Sequence, residues 1–176
     1  MMYTRHVTPA NPFERRYLQT RNMRTEANAK LKDYNAIMGK VEQDLDELRK
    51  TGIPCKAFTE NENDTPEVIQ VTRQCWNHVF KHPVKRQSKV EKLERALAFP
   101  LAMKLLQKTT TYQGVSVETD KGGNSYLAFE IVGCVRGNRI KLIILKQAKN
   151  TNAKKLLLSW WQMSSAPSKK PEEKDV

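Results

Sequence analysis

Apolar residues recur at alternating spacings of three and four through Ala27, Leu31, Tyr34, Met38, Val41, Leu45 and Leu48, which is the rhythm of one helix face. Charged residues such as Lys30, Lys32, Asp44, Asp46 and Glu47 fall off that stripe. The pattern predicts a long N-terminal helix over about 13–50, preceded by an irregular lead-in containing Pro9 and Pro12. Gly39 weakens its middle by roughly 1 kcal/mol, and Gly52 and Pro54 stop it. A heptad-like stripe of this length packs either on the rest of the chain or on a second helix. Residues 27–48 are therefore a candidate homo-oligomer contact.

Residues 51–65 read as a polar linker. Thr65 as N-cap, Pro66 at the first helical position and Glu67 in the first turn predict a helix start. Val68, Val71, Cys75 and Val79 supply its apolar face, and His82-Pro83 ends it. Ser88 with Glu91 three places later is a capping box. The stripe Leu93, Leu97, Leu101, Leu105 and Leu106 continues to Lys108, with Pro100 expected to divide it into two short helices. From Thr109 the period becomes two, predicting strands over 110–118, 126–135, 140–146 and 156–163. Asp120–Asn124 and Arg136-Gly137-Asn138 supply turns, and Ala148–Lys155 a basic connection. Ile140–Lys146 is nearly continuous in apolar residues, so it is expected in the sheet interior. The expected class is α+β: a long N-terminal helix, then helices packed on a four-stranded antiparallel sheet. The expected division is a helical segment and linker at 1–64, a basic α+β domain at 65–163 and a disordered tail at 164–176.

Charge sharpens this division. The 176 residues carry 31 Lys+Arg and 19 Asp+Glu, net +12. Residues 1–65 hold 11 basic and 10 acidic residues, net +1, leaving 20 and 9, net +11, for residues 66–176. A field of that sign favours a polyanionic partner of the basic part, such as RNA, DNA, or an acidic protein or membrane surface. No apolar run is long enough to span a membrane, and the N-terminal residues do not read as a secretory signal. Three widely spaced cysteines, Cys55, Cys75 and Cys134, fit reduced thiols and a cytoplasmic location.

The sequence has no Gly-rich phosphate loop, no GxSxG and no HExxH, so nucleotide-driven, hydrolase-elbow and zincin chemistry have no support. Acidic residues show no pair at an obvious catalytic spacing, so neither a metal nor another cofactor is expected. Histidine is the remaining proton carrier. His78 and His82 are four apart on one helix face, followed by the cations Lys81, Lys85, Arg86 and Lys89. Cleavage of RNA through its own 2′-hydroxyl needs one group to take that proton, another to protonate the leaving 5′ oxygen, and cations on the phosphorane. The competing readings are a histidine pair without chemistry, or zinc on Cys75, His78 and His82 with a distant fourth ligand from Cys134, Cys55 or His6. In the last strand, alternation puts Ser159 and Trp161 on one face and Trp160 on the other. A serine beside tryptophans fits either a base-contacting floor or a filled core. Lys141, Lys146, Tyr112 and Tyr126 are further strand-borne candidates.

In its order of parts, the segment from about Thr65 to Met163 resembles the ribonuclease fold shared by barnase, EndoU, colicin tRNases and RelE-like toxins. The resemblance covers about 100 residues. It runs from the helix ending WNHVFKHP through RALAFPLAMKLLQKT to the strands YLAFEIVGCVRGNRIKLIILK and LLLSWW. It implies a metal-independent endoribonuclease of toxin type acting on RNA such as tRNA, with an acidic immunity or antitoxin protein as a further partner. The family's helix histidine falls on His78 or His82, its strand-borne basic residue on Lys141 or Lys146, and its terminal-strand hydroxyl on Ser159. Ser-Trp-Trp stands where the family more usually has a Thr/Tyr pair. The alternative is a non-catalytic RNA- or DNA-binding protein, or a viral structural protein, using the same basic sheet.

Overall fold

The computed structural model describes residues 23–59, 64–81 and 87–163. The chain passes through α1 (Met23–Ala29), a 3-10 turn (Leu31–Asp33), α2 (Tyr34–Thr51), β1 (Ile53–Cys55) and a second 3-10 turn (Lys56–Phe58). Then come β2 (Glu67–Val71), α3 (Arg73–Phe80), α4 (Lys89–Lys108), β3 (Gly114–Thr119), β4 (Ser125–Val135), β5 (Asn138–Gln147) and β6 (Leu156–Gln162). The strands form one sheet in the order β1-β2-β6-β5-β4-β3. Neighbours are antiparallel except β2 and β6, which are parallel. The class is α+β as expected, but the four-strand meander is part of a six-stranded mixed sheet.

Four expectations about local structure are corrected. Within the described residues the long N-terminal helix is broken after Ala29 by the Leu31–Asp33 turn. Residues 67–71 are a strand, not the start of a helix, and the supposed linker contributes β1. The β-branched run Glu67–Val71 buries Ile69 and Val71 with period two, so pairing with β1 and β6 outweighs the helix-start signal of Thr65-Pro66. Pro100, finally, sits inside an uninterrupted α4. The proline removes one backbone hydrogen bond, but Leu93, Ala96, Phe99, Leu101, Ala102 and Leu106 hold the helix in place by burial.

α4 is the central helix, packed against α1, α2 and strands β1, β4, β5 and β6. One apolar cluster runs from Met23, Val41, Leu45, Ile53 and Cys55 to Ile69, Phe99, Ile131, Leu142 and Trp160. Val41 and Leu45 of the N-terminal stripe are thus occupied within the chain, and Met38 packs against the same cluster. Met38→Glu is accordingly expected to lower the melting temperature while leaving the mass in solution unchanged, readable by thermal denaturation beside light scattering. The β4–β5 connection is a two-residue turn, Arg136 at φ 49° and Gly137 at φ 76°, the left-handed pair that matches hairpin twist. The helix-start signal at Ser88 is realised as a complete capping box with Glu91.

β2 reaches β6 through a buried cation. Lys155 Nζ lies 2.6 Å from Glu67 Oε2 and 4.8 Å from the centroid of Phe58, and its backbone carbonyl accepts from Gln70 N at 2.9 Å. Losing this charge-assisted hydrogen bond in Lys155→Ala is expected to cost about 2 kcal/mol in urea denaturation. Among the described residues, no helix is long and apolar enough to cross a membrane.

Candidate functional site

β2 pairs with β6 only at Gln70–Leu156 and Val71–Leu157, so the outer side of β6 is uncovered by a strand from Leu158 onward. A cleft of about 590 Å³ opens there, lined by His78, Gln87, Glu91, Glu94, Arg95, Ser159, Trp161 and Gln162. Each side chain is placed by packing elsewhere. α3 buries Cys75, Val79 and Phe80, which leaves His78 half-buried on its flank. Helical spacing puts Glu91, Glu94 and Arg95 on one side of the first two turns of α4. Trp160 fastens that segment, its indole Nε1 donating to the Arg95 carbonyl at 2.8 Å. Gln162 is held at both ends: its Nε2 donates to Asn138 Oδ1 at 3.0 Å, and its Oε1 accepts from Met23 N at 3.3 Å.

The two cleft carboxylates have opposite environments. Glu91 accepts from the Ser88 backbone N–H at 2.6 Å, and the Ser88 hydrogen bonds hold its carboxyl below the ordinary range. Burial pushes Glu94 above it; Arg24 and Arg95 oppose that shift and Glu91 adds to it. Burial also lowers the Arg95 pKa, with Glu91 and Glu94 opposing. Carboxylates whose environments separate their pKa values are suited to different roles, one fixed as an anion and one able to exchange a proton.

A carboxyl raised in the folded state binds more protons there than in the unfolded chain. Its contribution to stability therefore falls as pH climbs from the ordinary glutamate range toward the raised value. Glu94→Gln is expected to raise the melting temperature near neutral pH, with the advantage shrinking on acidification below that range. Melting curves of both proteins across pH check the sign.

Of the residues singled out from the sequence, His78, Ser159 and Trp161 line this one cleft. Trp160 does not: it is 0% exposed and packs against Phe80 and Phe99, so it cannot offer a ring to a ligand. The reason is a bulge. Leu157 pairs with Ile144 and Ser159 with Ile143, so Leu158 is the extra residue, and the simple alternation along β6 breaks there. Lys141 is outside the cleft lining, ion-paired to Glu130 at 2.8 Å. It is the cross-strand partner of Trp161, and its Nζ stands 5.5 Å from that ring's centroid. Lys146, on β5, is also outside the lining, as are exposed Lys81 and Lys89; Lys89 lies over Tyr34. His82, Lys85 and Arg86 lie outside the described residues, as do residues 1–22 and the 164–176 tail.

Sequence reasoning missed Gln87, Glu94, Arg95 and Gln162, and read Glu91 only as a cap. Two carboxylates three apart on one helix were the nearest sequence signal, and that spacing alone does not mark a site. Of the zinc alternative's residues, Cys75 is fully buried, and that burial pushes its thiol up to about 12, while His82 lies outside the described residues. Among the described residues, no group of three His, Cys, Asp or Glu side chains is placed to hold a metal ion. Compared with known protein families, curated proteins and solved structures, the chain matches none.

Proposed function

We propose that the chain is a metal-independent endoribonuclease that cleaves RNA by attack of the 2′-hydroxyl on the adjacent phosphate. The observation that carries this reading is the convergence of His78, Glu94, Arg95, Ser159 and Trp161 on one open cleft in a chain of net charge +12. Glu94, a stronger base than an ordinary carboxylate because it is partly desolvated, takes the 2′ proton. His78, whose side chain exchanges protons near neutral pH, protonates the leaving 5′ oxygen. Arg95 stabilises the dianionic phosphorane. Ser159 and the Trp161 ring position the nucleotide, and the basic field draws the polyanion in. An acidic inhibitor protein would meet the same basic surface.

Purified full-length protein incubated with RNA in EDTA tests the proposal. The expected products end in 2′,3′-cyclic phosphate and 5′-hydroxyl, and a DNA of the same sequence, lacking the attacking hydroxyl, stays intact. RNA retained without cleavage replaces the enzyme with a binding module. The full chain is the right reagent because Met23, Val41, Leu45, Ile53 and Cys55 share the core with the basic part.

A further inference from the structure

We propose that β3 is a pairing edge for a second copy of this chain, joining two sheets into one across a two-fold axis at Ser116. The two edges of the sheet are unlike. β1 is three residues long and contains Pro54, both of which discourage strand addition. β3 has six residues in unbroken register with β4 and carries no proline, no lysine and no bulge. Every second residue of such an edge turns its N–H and C=O outward. Among the described residues, five large hydrophobics are exposed, and two of them, Val115 at 43% and Val117 at 69%, lie on β3.

The edge is self-complementary. In an antiparallel pair centred on Ser116, Val115 of each copy stands opposite Val117 of the other, on the same face of both sheets. Glu118 then meets Gly114, so the only charge in the strand faces no like charge. A pair centred on Glu118 would oppose two carboxylates, which is destabilising. Residues 109–120 hold no Lys or Arg, so this segment offers a polyanion no cation. β3 is separated from β6 by two strands, so pairing here leaves the cleft open and stands independently of the nuclease reading.

Light scattering of the full chain over a range of concentrations is expected to show a species of twice the 20.3 kDa chain mass. Val117→Lys is expected to weaken it at least tenfold, about the shift produced by 1.4 kcal/mol of lost pairing. Because Val117 is exposed, its circular dichroism and its RNA cleavage should match the parent. In a Cys134→Ser background, Ser116→Cys should be joined to its copy by a short thiol cross-linker. Glu118→Cys should not, since its two copies stand about 13 Å apart in this register. A monomer at every concentration overturns the proposal. So does a dimer that survives Val117→Lys, or one cross-linked at position 118 and not at 116, as when some other strand or surface makes the contact.

Discussion

Trp160→Ala is expected to lower unfolding free energy by about 4 kcal/mol, the range for deleting a fully buried aromatic side chain, whereas Trp161→Ala should cost at most about 1 kcal/mol for a half-buried one. The two adjacent tryptophans differ because the bulge at Leu158 turns Trp160 into the helix layer. There its ring meets Phe80 and Phe99 at centroid distances of 5.9 and 5.2 Å, and its N–H is bonded to the Arg95 carbonyl. Truncation therefore opens a cavity between α3, α4 and β6 and releases the turn that carries Arg95, so activity should fall with stability. Trp161 lines the cleft. Its loss should leave urea denaturation nearly unchanged and weaken RNA binding by about 1–3 kcal/mol, the contribution of one stacked base. Urea midpoints and RNA titrations on the same two variants separate these effects. Equal losses of stability would contradict the different burial of the two rings.

The features legible in the sequence were those whose cause is local. Arg136-Gly137 between alternating apolar runs specifies a hairpin, and Ser88 with Glu91 specifies a helix start, because each is decided within a few residues. β2 is decided elsewhere. Glu67–Val71 is short enough to fit either period, and the pairing of Val71 with Leu157 that makes it a strand lies across most of the basic part. The break between α1 and α2 likewise reflects packing on α4, with Met23 and Ala27 buried on one side of it and Val41 and Leu45 on the other. The site followed the same rule. His78, Ser159 and Trp161 were recognisable by residue type. Glu94 and Arg95 acquire significance only because the edge of β6 is uncovered beside α4, and no local pattern records that.

Glu94→Gln and His78→Ala should each reduce RNA cleavage by roughly 10²–10⁴-fold, the usual contribution of a positioned general base or acid, with binding to a non-cleavable 2′-deoxy strand changed far less. Both side chains line the cleft, but they should fail differently with pH. In the parent, the rate rises as Glu94 ionises and falls as His78 loses its proton, giving a bell. The acid limb should sit above the ordinary glutamate range because burial raises that carboxyl. Glu94→Gln removes the acid limb, and His78→Ala removes the alkaline one. Glu94→Gln should also melt higher than the parent near neutral pH while cleaving less, the trade of stability against activity characteristic of a desolvated functional group. A Glu94→Gln protein as active as the parent, with its acid limb intact, would exclude the carboxyl as base. Undiminished cleavage in His78→Ala would move the acid out of this cleft.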